Sequence, residues 1–250
     1  MREDELPSGP LEGFLKVDLH IHTPESRCYS DPRTTPGQIV DAAVAAGLAA
    51  IAVTDHNTFR GVEHVTEAAS PGRLAVFPGV EISTRDGHLL ALFDVHTPTA
   101  GLQEFLNNVG VSPAAAGDGS MLAADGMEDL LGEIARWEGL AVPAHIERWP
   151  TGFLQSSQSR RAKIAIHSSP HLSALEITQP ENKRLWNTGQ MRNYPRKHAC
   201  IQGSDAHDPE EIGRRPTYMR LPSIDLKGLR IAFAEYEARI RFPLEMPQGR

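Results

Sequence analysis

The sequence predicts an α/β chain folded as a (β/α)7 barrel, and three observations carry that reading. Seven short apolar runs rich in aliphatic and β-branched residues alternate with stretches of helical period, as expected of parallel strands joined by crossover helices. At 250 residues the chain is long for one domain yet within the range of a single α/β barrel. Histidines and carboxylates gather at or near the ends of those runs, where a parallel barrel places its chemistry.

The runs span 14–20, 49–54, 74–82, 88–93, 140–145, 175–178 and 199–203. Between the first two, Thr35-Pro36 opens a helix over 37–46, with apolar Ile39, Ala43 and Ala46 and a stop at Gly47. The clearest amphipathic helix covers 127–137, with Leu130, Leu131, Ile134 and Trp137 on one face and Gly139 beyond its end. Further helices are expected over 182–192 and 226–240. The stretch 110–119 is the most loop-like and is expected to be mobile; 149–159 is a second long loop. The expected organisation is one barrel domain over 1–250, with a core at about 16–210 and a helical extension at about 224–241.

Composition narrows the function. A hydrophobic share of 40% is ample for a core, and no run of about 18 apolar residues offers a membrane span. The start, Met1-Arg2-Glu3-Asp4-Glu5, is acidic and lacks the apolar stretch of a signal peptide. Cys28 and Cys200 make no disulfide framework, so a reducing cytoplasm is the expected location. The net charge of −7 weighs against a dedicated nucleic-acid binder. It is uneven, however. Residues 1–140 hold eight basic against twenty-one acidic groups, and residues 141–250 hold seventeen against eleven. Metal would neutralise some of the first set, and the second suits a phosphorylated substrate; an ordinary solvated surface explains most of these charges equally well.

The chemistry lies in the histidines. His20 and His22 are two apart in an extended run, so both imidazoles point to one face. Asp205 and His207 repeat that spacing near the last strand, and the first and last strands of a closed barrel are neighbours. A lone His-x-His is weak evidence; two such pairs, with His56, Glu81, His88 and His145 between them, point to a site for divalent metals such as Zn, Mn or Fe. Asp55 beside His56 faces the other way and is expected to orient its neighbours. His64, His96, His167, His171 and His198 lack such company and read as structural or surface histidines, His96 being nearest the mouth. A phosphate also needs cations: Arg148, three residues after His145, overhangs the expected site, and Arg27, Arg184 and Arg214 are further candidates.

His20-Ile21-His22-Thr23, Thr54-Asp55-His56-Asn57, Pro78-Gly79-Val80-Glu81-Ile82-Ser83, Ala144-His145 and Gly203-Ser204-Asp205-Ala206-His207 together resemble the successive motifs of the PHP (polymerase and histidinol phosphatase) family. The resemblance runs from about residue 16 to 210 and implies a distorted (β/α)7 barrel with two or three divalent metals that hydrolyses phosphoesters. It implies that His20, His22, Glu81 and Asp205 hold one ion, and that Glu81 bridges to a second bound by His88 and His145. A third would take His56, His207 and a residue of the loop 24–34. Asp31 is the candidate there and Cys28 the alternative, and Asp31 also suits a cap of the turn before Pro32.

The mechanism so implied is in-line attack by a hydroxide bridging two metals, with Asp205 or a water beside His207 passing a proton to the leaving oxygen. The expected substrate is a nucleotide or nucleic-acid end, since the segments around His145, Glu176 and 203–240 resemble PHP domains joined to P-loop ATPases. The chain has no phosphate loop of its own, so an ATPase partner is a corollary. The alternatives are a small-molecule monoesterase of the histidinol phosphatase kind, a low-activity binding module beside that ATPase, and an amidohydrolase. The last lacks its mid-barrel lysine here.

Overall fold

All seven apolar runs become strands in the computed structural model, which describes residues 13–69 and 72–247. The acidic start of the chain and both ends of the expected 1–250 domain lie outside the described residues. In order, the elements begin β1 (Leu15–Ile21), α1 (Pro36–Ala45), β2 (Ala50–Val53), α2 (Arg60–Ala68), β3 (Ala75–Thr84), β4 (Gly87–Leu92) and α3 (Thr99–Asn108). Then come α4 (Met127–Arg136), β5 (Leu140–Pro143), α5 (Arg160–Ser168), β6 (Leu175–Glu176), α6 (Lys183–Thr188) and β7 (Cys200–Ile201). The chain closes with β8 (Thr217–Met219), α7 (Leu226–Ala234), α8 (Tyr236–Arg239) and β9 (Ile240–Arg241).

The strands form a curled seven-stranded sheet in the order β5-β4-β3-β2-β1-β8-β9 and a parallel pair, β6-β7. Main-chain bonds at the carboxyl ends carry the curl towards a ring. Ile146 N–H donates to Glu176 O at 3.0 Å, joining β5 to β6. Asp205 N–H donates to His20 O at 2.8 Å and His22 N–H to Ala206 O at 2.9 Å, joining the end of β7 to β1. The result is the distorted barrel expected from the sequence.

One expectation is corrected in detail. The alternation of strands and helices argues for a parallel sheet; β4 instead runs antiparallel to both β3 and β5, as the seven-residue step from Glu81 to His88 suits. Only Arg85 and Asp86 separate β3 from β4, far too few for a crossover helix. Gly87 there has φ +122°, and a Cβ would meet Thr151 O at 2.7 Å, so no other residue fits that turn. The reversal places the start of β4 at the same barrel end as the carboxyl termini of its neighbours. His88 opens its run instead of closing it and still faces the site.

Burial follows strand alternation. Val17, Leu19 and Ile21 of β1 sit in the hydrophobic core, while Asp18, His20 and His22 share the other face and are equally buried. Asp18 accepts from Ser204 N–H (3.0 Å) and Gly213 N–H (2.9 Å), so this carboxylate fastens β1 to the segment after β7. Helix α1 begins at a capping box: Thr35 Oγ1 accepts from Gln38 N–H, and Gln38 Oε1 accepts from Thr35 N–H at 2.8 Å. The helix expected over 182–192 stops at Thr188, because Gly189 turns left-handed at φ +69°. The one expected over 226–240 breaks at Glu235 and ends as β9, which pairs with β8.

The 110–119 stretch is tethered. Gly117 N–H donates to His56 O and Arg27 N–H to Gly117 O, both at 2.8 Å. A Cβ on Gly119 would lie 2.9 Å from the His56 ring, so this loop rests directly on the site.

Candidate metal centre

Strand ends bring eight side chains to one place. His20 comes from β1, Glu81 from β3 and His88 from β4; His22, His56, His145, Asp205 and His207 follow β1, β2, β5 and β7. Glu81 is at their focus and fully buried. Its Oε1 lies 2.9 Å from both His88 Nδ1 and His145 Nε2. Its Oε2 lies 3.0 Å from His56 Nδ1 and 3.4 Å from both His20 Nε2 and His22 Nε2. Asp205 Oδ1 adds contacts of 3.2 Å to His20 Nε2 and 3.1 Å to His22 Nε2.

Outer groups fix how the rings point. Glu176 Oε2 stands 2.8 Å from His20 Nδ1, and its Oε1 accepts from His145 N–H at 3.2 Å. An ionised carboxylate only accepts, so the Nδ1 of His20 carries a hydrogen, and a cation bound at the centre would take the Nε2 lone pair. Asp55 accepts from Thr23 N–H, Thr23 Oγ1 and Ser26 Oγ at 2.7–2.8 Å, which spends its oxygens away from the cluster. Ser26 Oγ in turn lies 3.0 Å from His22 Nδ1 and accepts from His56 N–H. His145 and Asp205 hold their side chains inward from left-handed backbone, at φ +30° and +50°.

Three buried carboxylates at such range demand positive charge. Burial opposes a proton on His20, yet Glu176, Glu81 and Asp205 together raise its pKa well above the ordinary value. Burial likewise opposes charge on Glu81, but His88, His20 and His56 hold its carboxyl well below the usual range. His56 is pushed up to about 10 by Glu81 and Cys28 against the effect of burial.

The expected site residues divide. His20, His22, His56, Glu81, His88, His145, Asp205 and His207 converge, and Arg148 joins them by pairing with Asp205 Oδ2 through Nη1. Asp31 does not: it pairs with Arg33 on the surface and accepts from Arg33 N–H, because capping the turn at Pro32 aims it outward. Cys28 lies at the cluster instead; against burial, His207 and His56 draw its thiol down to about 6. Arg27 reaches Asp118, and Arg184 lines a separate cleft with Tyr236 and Arg241. Glu176 is the residue missed in the sequence; it lies inside the apolar run 175–178, and only the structure shows that it closes β6.

The arrangement fits divalent ions. Ligand atoms of His20, His22, Glu81 and Asp205 lie within 4.8 Å of one another, as do those of His56, Glu81 and His88, and those of His22, His56 and His207. Glu81 Oε2 and His56 Nδ1 are buried 3.0 Å apart, and neither makes a hydrogen bond among the described residues. Buried polar atoms that face a shared centre without hydrogen bonds are costly unless a cation takes them. Imidazole nitrogen with carboxylate oxygen is the donor set of Zn, Mn or Fe.

The model of the PHP domain family matches residues 18–140. A 3',5'-nucleoside bisphosphate phosphatase of Chromobacterium violaceum is 32% identical over 134 residues, 46% of this chain and 46% of that protein. A 5'-3' exoribonuclease of Haemophilus influenzae is 37% identical over 95 residues, 35% of this chain and 33% of that one. The matched stretches span half or less of these curated relatives. Among solved structures, a lesion-specific endonuclease of Pyrococcus furiosus superposes with a TM-score of 0.69 at 18% identity, covering 92% of this chain and 58% of that one. At that identity the likeness is one of fold.

Proposed function

We propose that this chain, whose residues 18–140 match the PHP domain family, is a metal-dependent phosphoesterase of that kind, acting as one domain on a nucleotide or a nucleic-acid end. The observation that carries the reading is Glu81, whose two oxygens face five imidazoles in two groups. A single carboxylate so placed suits two ions side by side. His20, His22, Glu81 and Asp205 would hold one ion; Glu81 and His88, with His56 and His145 at hand, would hold the other. A third ion at His22, His56 and His207 would draw on ligands of both, so two resident ions fit this set better. Bound there, divalent ions would supply Lewis acidity towards phosphoryl oxygen and acidify water.

The chain's own groups do the rest. Arg148 stands at the rim with its guanidinium on Asp205, placed to take a phosphate oxygen by charge-assisted hydrogen bonds. His207 keeps its Nδ1 3.0 Å from Asp205 O and its side chain is 22% exposed, the most open of the eight. It is therefore the group best placed to hand a proton to a departing oxygen. Glu176 and the Asp55–Ser26 pair hold His20 and His22 in register. The names of the phosphatase and the exoribonuclease support a nucleotide or strand-end substrate.

Phosphate release and product length, measured with added Mn and Zn, test this. The panel holds histidinol phosphate, nucleoside mono- and bisphosphates and labelled single-stranded DNA and RNA, with His20→Ala alongside. Release from nucleotides or shortening of strands, lost in the variant, is the expected result. Hydrolysis of histidinol phosphate alone makes the protein a small-molecule monoesterase. No turnover with metal bound overturns the proposal.

A further inference from the structure

Trp149 is 78% exposed, one residue beyond the arginine that pairs with Asp205. Large aromatic side chains are seldom left so bare, and this one is on a loop that cannot fold it away. Arg148 N–H donates to His145 O, Gly152 N–H to Arg148 O, and His88 N–H to Thr151 O, at 2.7–2.8 Å. The first two bonds close the loop on itself and the third pins it to β4. Trp149 lines a cleft of about 400 Å³ that His88 also lines, and its wall includes Gly119, Ser120 and Leu122. That wall is pinned as well: Asn57 Nδ2 donates to Asp118 O and Met121 O at 2.9 Å, and Ala123 N–H donates to Ser83 O at 2.8 Å. Leu122 is also exposed, at 56%.

The cleft thus joins flat and aliphatic surface to polar groups from Gln155, Ser120 and Arg85, and it leads to the place where phosphate would react. A ligand with a π-face, polar edges and a phosphate a few bonds away matches each of these features. That describes a nucleobase, which stacks on aromatic side chains through its face and hydrogen-bonds through its edge. The volume is in the range of about 300–1,000 Å³ common for small-ligand sites.

We propose that Trp149 is the stacking platform that seats the substrate's nucleobase in the cleft beside His88. This rests on the nucleotide reading above and names the part of the substrate that the metal centre does not touch. Its role is specificity: it selects phosphoesters that carry a base over those that carry a bare sugar.

The test uses the whole chain loaded with Mn, as wild type, Trp149→Ala and Trp149→Phe. Substrates are adenosine 3',5'-bisphosphate, a 5'-phosphorylated trinucleotide and ribose 5-phosphate. The ratio of kcat/KM for a base-bearing substrate to that for ribose 5-phosphate falls about tenfold or more in Trp149→Ala, through KM, and returns in Trp149→Phe. The larger fall between bisphosphate and trinucleotide tells whether the base belongs to a free nucleotide or a strand end. A wild-type ratio in Trp149→Ala on both arms overturns the platform and leaves Trp149 as surface for a protein partner. Binding is read separately from turnover, as emission of wild type minus Trp149→Ala during titration with adenosine 5'-monophosphate or ribose 5-phosphate. Quenching by the nucleotide alone supports the platform even if no phosphoester is hydrolysed, in which case the phosphoesterase reading fails by itself. Hydrolysis with neither quenching nor a change of ratio removes the platform and keeps the enzyme.

Discussion

Glu176 and His20, 156 positions apart, meet at 2.8 Å with both side chains buried. The contact fixes the tautomer of an imidazole whose other nitrogen faces Glu81 and Asp205. Glu176→Gln keeps the shape and removes the charge. Such outer partners of metal-binding histidines are worth about 10–100-fold in metal affinity. Competition against a chelator should show a loss of that size, with the circular dichroism spectrum intact. Unaltered affinity would mean that Glu176 serves only to hold His145 N–H.

Glu81→Gln acts at the centre. It removes the carboxylate charge that two groups of histidines share, so elemental analysis should find fewer metal ions per chain than in wild type. Hydrolysis should fall by more than the about 10–100-fold of an outer partner. A variant that retains its full metal complement would contradict the placing of Glu81 between two ions.

Gly61 tests the support beneath His22. A Cβ there would lie 2.3 Å from Asp55 Oδ2 and 2.4 Å from Thr23 Oγ1, two atoms that are themselves hydrogen-bonded. Gly61→Ala should destabilise by roughly 1–3 kcal/mol, the usual cost of overpacking. Gly37, in the first turn of α1, has only Thr35 Oγ1 nearby, at 3.9 Å. Gly37→Ala should therefore be neutral or stabilising. Equal unfolding midpoints for the two variants would refute the steric argument.

A buried histidine pair predicts acid sensitivity away from the metal centre. His198 Nε2 lies 2.8 Å from His167 O, and His167 Nε2 accepts from Arg196 N–H at 3.1 Å, which requires a neutral ring. Burial first, then the neighbouring charges, push both pKa values down to about 4 from 6.5. The unfolded chain therefore binds more protons below pH 6.5, and the pair's contribution, fully present above that pH, drains away as pH falls towards 4. Urea midpoints of wild type and His198→Gln should converge over that window. A constant gap from pH 7.5 to 4 would show that the pair does not titrate in this way.

The strands were legible because each is a short aliphatic run, and the ligand list because His20, His22, Asp205 and His207 carry strand-period spacing at run ends. Those properties are local, and local chain chemistry expresses them directly. Other features depend on what lies across the barrel, which no spacing along the chain records. Asp31 and Cys28 share one loop and both are ligand types; turn geometry spends Asp31 on Arg33 and leaves Cys28 against His56 and His207. Glu176 becomes the partner of His20 only because β6 and β7 return beside β1. The reversal of β4, by contrast, is local, the product of a two-residue turn that the seven-residue step from Glu81 to His88 already suits, and it turns His88, at the start of its strand, towards Glu81. Residue types and periodicity thus determined that this chain is a barrel with a histidine-carboxylate centre. Only the tertiary structure decided that Glu81 is its focus and that Trp149 stands at its mouth, because both facts are distances between segments far apart in sequence.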